Sequence, residues 1–160
     1  MERNPMTVKC HRFLQEELQR LKSFDRHKAA KAIEEARAHG DLSENAEYDA
    51  AKNAQGLLEA KIRDYESKLS TAQVIDVSTL SGTKIVFGAT VDIVDITTDE
   101  QRTISIVGED EADAVQGRVS YKSPLARGLI GKEEGDVAQV KLPGGEREFE
   151  VKGVRFVEIP

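Results

Sequence analysis

Tryptophan is absent, and aromatic residues make up only 5% of the 160-residue chain. So few large apolar side chains cannot easily fill one thick core, and part of the chain is expected to be extended and thinly buried. Cys10 is the only cysteine, which excludes an internal disulfide and any multi-cysteine metal site. No proline lies between Pro5 and Pro124, so nothing there forces a helix to break. No apolar run approaches the ~20 residues of a membrane span, and Met1–Met6 has no signal-peptide apolar region. A cytoplasmic protein without a membrane partner is expected. His11, His27 and His39 make no i, i+4 ligand pair, and no glycine belongs to a phosphate-binding motif.

What is present is charge, and it is unevenly placed. The net charge is -6, yet residues 1–37 hold nine Lys/Arg against six Asp/Glu. Residues 77–160 hold ten against fifteen. Between Arg37 and Lys52 the chain carries Asp41, Glu44, Glu47 and Asp49 and no basic residue. A plain solvated helix surface would intersperse the signs.

Residues 8–75 carry helical periodicity almost throughout. Leu14, Leu18 and Leu21 fall at i, i+4, i+7, and Ala29, Ile33 and Ala36 repeat that spacing fifteen residues on. A coiled-coil seam through both sets needs a stutter near Phe24–Lys28. Further along, Ala51, Leu58, Tyr65 and Ala72 form one heptad column, and Ile62 and Leu69 the other. Only His39–Ser43 interrupts the pattern. Gly40 suits a left-handed position after a helix, and Asp41 or Ser43 suits the cap of the next. Two helices of about 30 residues, each about 45 Å long, joined by so short a turn, must run antiparallel. Residues 1–76 are expected to form this finger, with its acidic tip at 40–48.

From Ser78 the pattern changes to β-branched residues, glycine and proline. Ile85–Phe87, Val91–Ile96, Thr103–Val107, Val137–Leu142 and Arg147–Phe156 are expected strands. Pro143-Gly144-Gly145 predicts a type II turn, and Gly153 marks a bulge where the inward set shifts from Phe149/Val151 to Val154/Phe156. Ser123-Pro124 opens a short helix through Ile130. The expected fold class is α+β: an antiparallel coiled-coil hairpin, then a small antiparallel β domain over residues 77–160.

Gly40-Asp41-Leu42-Ser43-Glu44-Asn45-Ala46-Glu47-Tyr48 admits two readings. Asp41 and Glu44, three apart, satisfy a capping-box pattern, and acids suit a helix's first turn. Alternatively, four acids within the nine residues from Asp41 to Asp49 repel one another, and a cation is the motive to tolerate them. Mg2+ commonly takes one or two protein carboxylates and completes its octahedron with water and substrate phosphate. A tip of this kind could complete a site on another molecule.

The nine residues GDLSENAEY closely resemble the tip signature of GreA-type bacterial transcript cleavage factors. The resemblance extends through Glu34–Arg37 and Ala50–Lys52. It resumes at Val86–Gly88, Ile106–Asp113, Ser123–Ala126, Leu129–Asp136 and Pro143–Gly145. Leu42, where the GreB relatives carry Arg, points to the GreA type. The resemblance implies a coiled-coil finger and a second domain similar to the FK506-binding-protein fold. It implies that the finger enters the secondary channel of bacterial RNA polymerase and stimulates cleavage of the 3′ end of backtracked nascent RNA. The protein would then be no enzyme by itself. Asp41 and Glu44 would share a second Mg2+ with the polymerase, Ser43 would orient beside them, and Arg37 and Lys52 would steer RNA phosphates. Ser123, Pro124 and Leu125 would grip the polymerase, and the expected state is a monomer. Departures from the family pattern fall at Cys10-His11 and Asp25–Lys28. Two rival readings remain: a non-cleaving polymerase-binding regulator of the same shape, and a peptidyl-prolyl isomerase.

Overall fold

The computed structural model describes residues 3–41 and 45–159. The chain divides into two compact units, His11–Ala72 and the discontinuous pair Arg3–Cys10 with Gln73–Pro160.

The first unit is the helical hairpin. Helix α1 (Val8–Arg20) leads through a π-helical turn, Leu21–Asp25, into α2 (Arg26–Arg37), and α3 (Ala46–Ser70) returns. The partners Lys22–Glu66, Arg26–Glu59 and His39–Glu47 descend along α3 as they ascend toward α2, so the two arms are antiparallel. Exposed pairs of this kind add little stability; what they mark is register.

The π-turn lies at the expected stutter. Each α-helical residue advances about 100°, so the twelve residues from Leu21 to Ile33 overshoot whole turns by about 120°. A π-turn inserts one residue into the helix, and the backbone N–H of Arg26 bonds back to Leu21 O across it. Removing that residue from the count leaves an offset of about 20°. Leu14, Leu21, Ile33 and Ala36 thereby share one buried face. On α3, Ala51, Leu58, Tyr65 and Leu69 are half-buried and Ile62 is fully buried, which reproduces both heptad columns. The helix stops at Ser70, however, and Ala72 belongs to a strand.

That strand, β2 (Ala72–Ile75), joins β1 (Asn4–Thr7) in a two-stranded sheet. A strand this early contradicts the expectation that residues 1–76 form a purely helical finger. The reason is long-range hydrogen bonding: Thr7 N–H donates to Glu111 Oε2 at 3.2 Å, and the Thr7 hydroxyl donates to Glu111 Oε1. The same hydroxyl accepts from Cys10 N–H and so tends the start of α1. Gly108 makes the close approach possible, because a Cβ there would stand 2.5 Å from Pro5 O.

The second unit holds a five-stranded sheet in the order β5-β4-β3-β7-β6. Its strands are β3 (Thr90–Asp95), β4 (Gln101–Val107), β5 (Arg118–Ser120), β6 (Val137–Leu142) and β7 (Gly145–Arg155). All pairs are antiparallel except β4–β5, which makes the sheet mixed rather than purely antiparallel. Ile85–Phe87 is not a strand. Ile85 instead exchanges backbone hydrogen bonds with Lys132 and Gly131, and buries its side chain completely. The bulge falls where Gly153 marks it: Asp92 pairs with Gly153 and Ile93 with Val151, leaving Lys152 as the extra residue. At the Pro143-Gly144 turn the positive φ falls on Gly145 and not on Gly144, so the type II expectation is not met.

Helix α4 (Pro124–Leu129) covers one face of the sheet. Leu125, Ala126 and Leu129 join Ile93, Ile104, Ile106, Val140 and Phe149 in the core. Burying a side chain of this size contributes about 1.5–3 kcal/mol. Of the four aromatics in this unit only Phe149 is fully buried. Phe87 and Tyr121 are half-buried and meet edge to face at 5.9 Å.

Candidate functional site

The site is built where α2 ends and α3 begins. After Arg37 the backbone tightens: Ala38 N–H reaches Glu34 O, His39 N–H reaches Ala36 O, and Gly40 N–H reaches Arg37 O. Gly40 then takes φ +110°, the positive value that favours glycine, as its position after the helix implies. Asp41 follows and is exposed. Leu42, Ser43 and Glu44 lie outside the described residues, and with them the positions expected for Ser43 and Glu44.

The cap of α3 is neither Asp41 nor Ser43. It is Asn45, which has extended backbone angles and whose Oδ1 accepts from Tyr48 N–H at 3.0 Å. The other half of the same amide, Nδ2, donates to Ala36 O at 2.6 Å. One side chain therefore serves the end of one helix and the start of the next. Asparagine stands among the best N-caps, which is the signal sequence reasoning passed over. The partner of Asp41 in the capping-box reading, Glu44, lies outside the described residues.

Arg37 and Lys52 are both exposed on the flanks of the turn. The Arg37 guanidinium stands 6.0 Å from the centroid of the Tyr48 ring, within reach of a cation–π contact. His39 Nε2 lies 3.3 Å from Glu47 Oε2. Among the described residues no three His, Cys, Asp or Glu side chains are grouped to hold a metal ion. An exposed carboxylate at a hairpin end is nonetheless the kind of donor a shared Mg2+ takes, since Mg2+ needs few protein ligands of its own.

The second candidate surface lies at the start of α4. Ser123 caps that helix, its Oγ accepting from Ala126 N–H at 3.2 Å, and Pro124 is the first helical residue. Pro124 is exposed, but Leu125 belongs to the core. Of the three residues expected to grip a partner, only Pro124 is fully presented. No helix among the described residues is long and apolar enough to cross a membrane.

A helical hairpin with an acidic turn in one unit and a small mixed sheet in the other define the class: a two-unit protein with a helical finger. Sequence relationships narrow it. The family described as "Transcription elongation factor, N-terminal" matches residues 4–74, and "Transcription elongation factor, GreA/GreB, C-term" matches residues 80–156. The chain is 54% identical over 158 residues to the transcription elongation factor GreA of Thioalkalivibrio sulfidiphilus, covering 98% of this chain and 100% of that one. It is 57% identical over 151 residues to the GreA of Hyphomonas neptunium, covering 94% and 96%. Among solved structures, the GreA factor homolog 1 protein of Thermus thermophilus is 27% identical, with 96% and 99% covered at a TM-score of 0.44. The chain belongs to the GreA/GreB family of transcription elongation factors.

Proposed function

We propose that this chain binds bacterial RNA polymerase through the secondary channel and stimulates endonucleolytic cleavage of the 3′ end of backtracked nascent RNA. In this reading it lends the carboxylates of Asp41 and Glu44 to a second Mg2+ held jointly with the polymerase. The observation that supports the reading is the placement of Asp41: exposed at the hairpin's end, just after the Gly40 turn. An exposed carboxylate at that place supports a role toward a cation, since Mg2+ takes few protein ligands of its own. Helix α3, at 25 residues, gives a reach of about 38 Å, somewhat less than the 45 Å expected from sequence.

Mg2+ shared in this way would supply charge neutralisation and activation of the attacking water. The chain's own residues bind and orient. Asp41 and Glu44 furnish oxygen ligands, Ser43 orients beside them, and Arg37 and Lys52 draw the RNA phosphates toward the tip. Docking falls to the sheet unit, where Pro124 offers the exposed contact and Leu125 supports it from the core.

Asp41→Asn and Glu44→Gln test the reading. Both keep side-chain size and remove the charge that attracts Mg2+. Each variant is expected to compete with wild type for polymerase while losing orders of magnitude in RNA cleavage, because a ligand to a catalytic metal is worth several kcal/mol in the transition state. Raising Mg2+ restores part of the rate. Wild-type cleavage by both variants overturns the proposal.

A further inference from the structure

We infer that Asn45 is the positioning residue of the tip: its amide ties the two helix ends together and thereby sets where Asp41 stands. The inference rests on the reading of the tip proposed above and adds a residue to it.

Both ends of the turn are held by one planar group. Nδ2 donates to Ala36 O at 2.6 Å, in the last turn of α2, and Oδ1 accepts from Tyr48 N–H at 3.0 Å, in the first turn of α3. The orientation of the amide is not arbitrary. Only its NH2 can meet a carbonyl and only its oxygen can meet an N–H, so reversing it would lose both bonds. Asn45 itself is half-buried and Ala36 is buried, which shelters the pair from water. A second cross-link lies beside the first, where Arg37 stands over the ring of Tyr48. The end of α2, at Ala36 and Arg37, is thus joined twice to the start of α3, at Asn45 and Tyr48.

No other side chain of this size carries a donor and an acceptor on one rigid plane. Aspartate has acceptors only. Serine has a single oxygen on a shorter stem, enough for the cap but not for the span. Asp41 lies within the turn whose ends this amide fixes. Mg2+ demands near-ideal octahedral geometry at 2.0–2.1 Å, so a carboxylate on an untied turn contributes less to a shared ion. Docking on polymerase does not depend on that bond. The expected signature is therefore a change in Mg2+ requirement without a change in binding.

The test compares Asn45→Ser, Asn45→Ala, Asp41→Asn and Glu44→Gln in stalled polymerase complexes carrying backtracked RNA. Cleavage is followed across Mg2+ concentrations, beside competition for polymerase and thermal unfolding of the free protein. Asn45→Ser keeps a good cap and loses only the bond to Ala36 O. It is expected to bind as wild type and to melt only slightly lower, less than Asn45→Ala, while the Mg2+ concentration for half-maximal cleavage rises about two- to tenfold, the range one hydrogen bond spans. Asn45→Ala shows the same rise with a lower melting temperature. An unchanged Mg2+ dependence for Asn45→Ser overturns the inference, as does a loss of melting temperature and polymerase binding equal to that of Asn45→Ala. If Asp41→Asn and Glu44→Gln both cleave at the wild-type rate, the reading of the tip has failed, and this inference with it.

Discussion

Asp41 and Asp95 are carboxylates of opposite kinds. Asp41 stands exposed at the finger's end, whereas Asp95 is buried at the end of β3. Asp95 Oδ2 accepts from Arg147 Nη1 at 2.8 Å, and Oδ1 accepts from the N–H groups of Thr97 and Thr98. The Arg147 hydrogen bond foremost, with the Thr97 and Thr98 N–H groups behind it, holds the Asp95 carboxyl below the usual aspartate range. Asp92 is lowered likewise, first by the Thr103 hydroxyl and then by Arg155. A folded pKa below the unfolded one means that the ionised form stabilises the fold at neutral pH. That contribution shrinks as pH falls from the ordinary aspartate value, about 3.9, down through the lower folded value. Asp95→Asn is therefore expected to unfold at lower urea than wild type at pH 7, with the gap closing below the ordinary aspartate range. A gap that stays constant down to pH 2–3 on the scale of these ordinary values refutes the assignment. At this scale the turn that presents Asp41 was legible, because Gly40 and the break in helical periodicity mark it. Asn45 went unread, because its donor half finds its partner nine residues back, across the turn, and no local pattern shows that.

Among the elements, the π-turn makes the sharpest claim. It exists to reconcile two apolar sets that a regular helix would set about 120° apart, and Ser23 Oγ bonding to Gln19 O supports it from outside. Deleting the exposed Ser23 is expected to convert Leu21–Asp25 to regular α-helix while keeping Leu21 and Ile33 on one face. Helix content by circular dichroism should hold and the melting temperature should stay level or rise. Inserting one alanine next to Ser23 should lower it, since Ile33 and Ala36 then rotate about 100° off the buried face. Equal effects of deletion and insertion refute the phase account. The fifteen-residue offset made a stutter legible; whether the chain would absorb it by a π-turn or by supercoil unwinding was not, because both satisfy the same spacing. The strands β3, β4, β6 and β7 were legible from alternation and from Gly153. Ile85–Phe87 was misread because its burial is that of a strand, whereas its backbone pairs with the loop after α4. The short parallel β5 has too few residues to show a period.

The whole molecule is less sequential than its sequence suggests. Arg3–Cys10 belongs with Gln73–Pro160, so the finger is inserted between two parts of one unit. That grouping was hidden because β1 has only four residues and its partner Glu111 lies 104 positions away. Gly108→Ala is the direct probe, since the new Cβ would meet the backbone oxygen of Pro5 rather than a side chain that can swing aside. The N-terminal strand is expected to loosen, at a cost of at least about 1 kcal/mol. Cys10, buried and the only cysteine, is the reporter. Its reaction with a thiol reagent should accelerate at least about fivefold in the variant. An unchanged rate means that the close approach at Gly108 does not hold Arg3–Cys10 in place.

The bond between Thr7 and Glu111 also fixes an order in time. A ribosome adds about 5–20 residues per second, so Thr7 waits about 5–20 s for its partner to be made. Over that interval the hairpin, whose contacts are local, can close by itself. Met6 and Cys10 emerge early in synthesis and are enclosed late. A strand of four residues is short enough to make that wait without offering a long edge to a neighbouring chain.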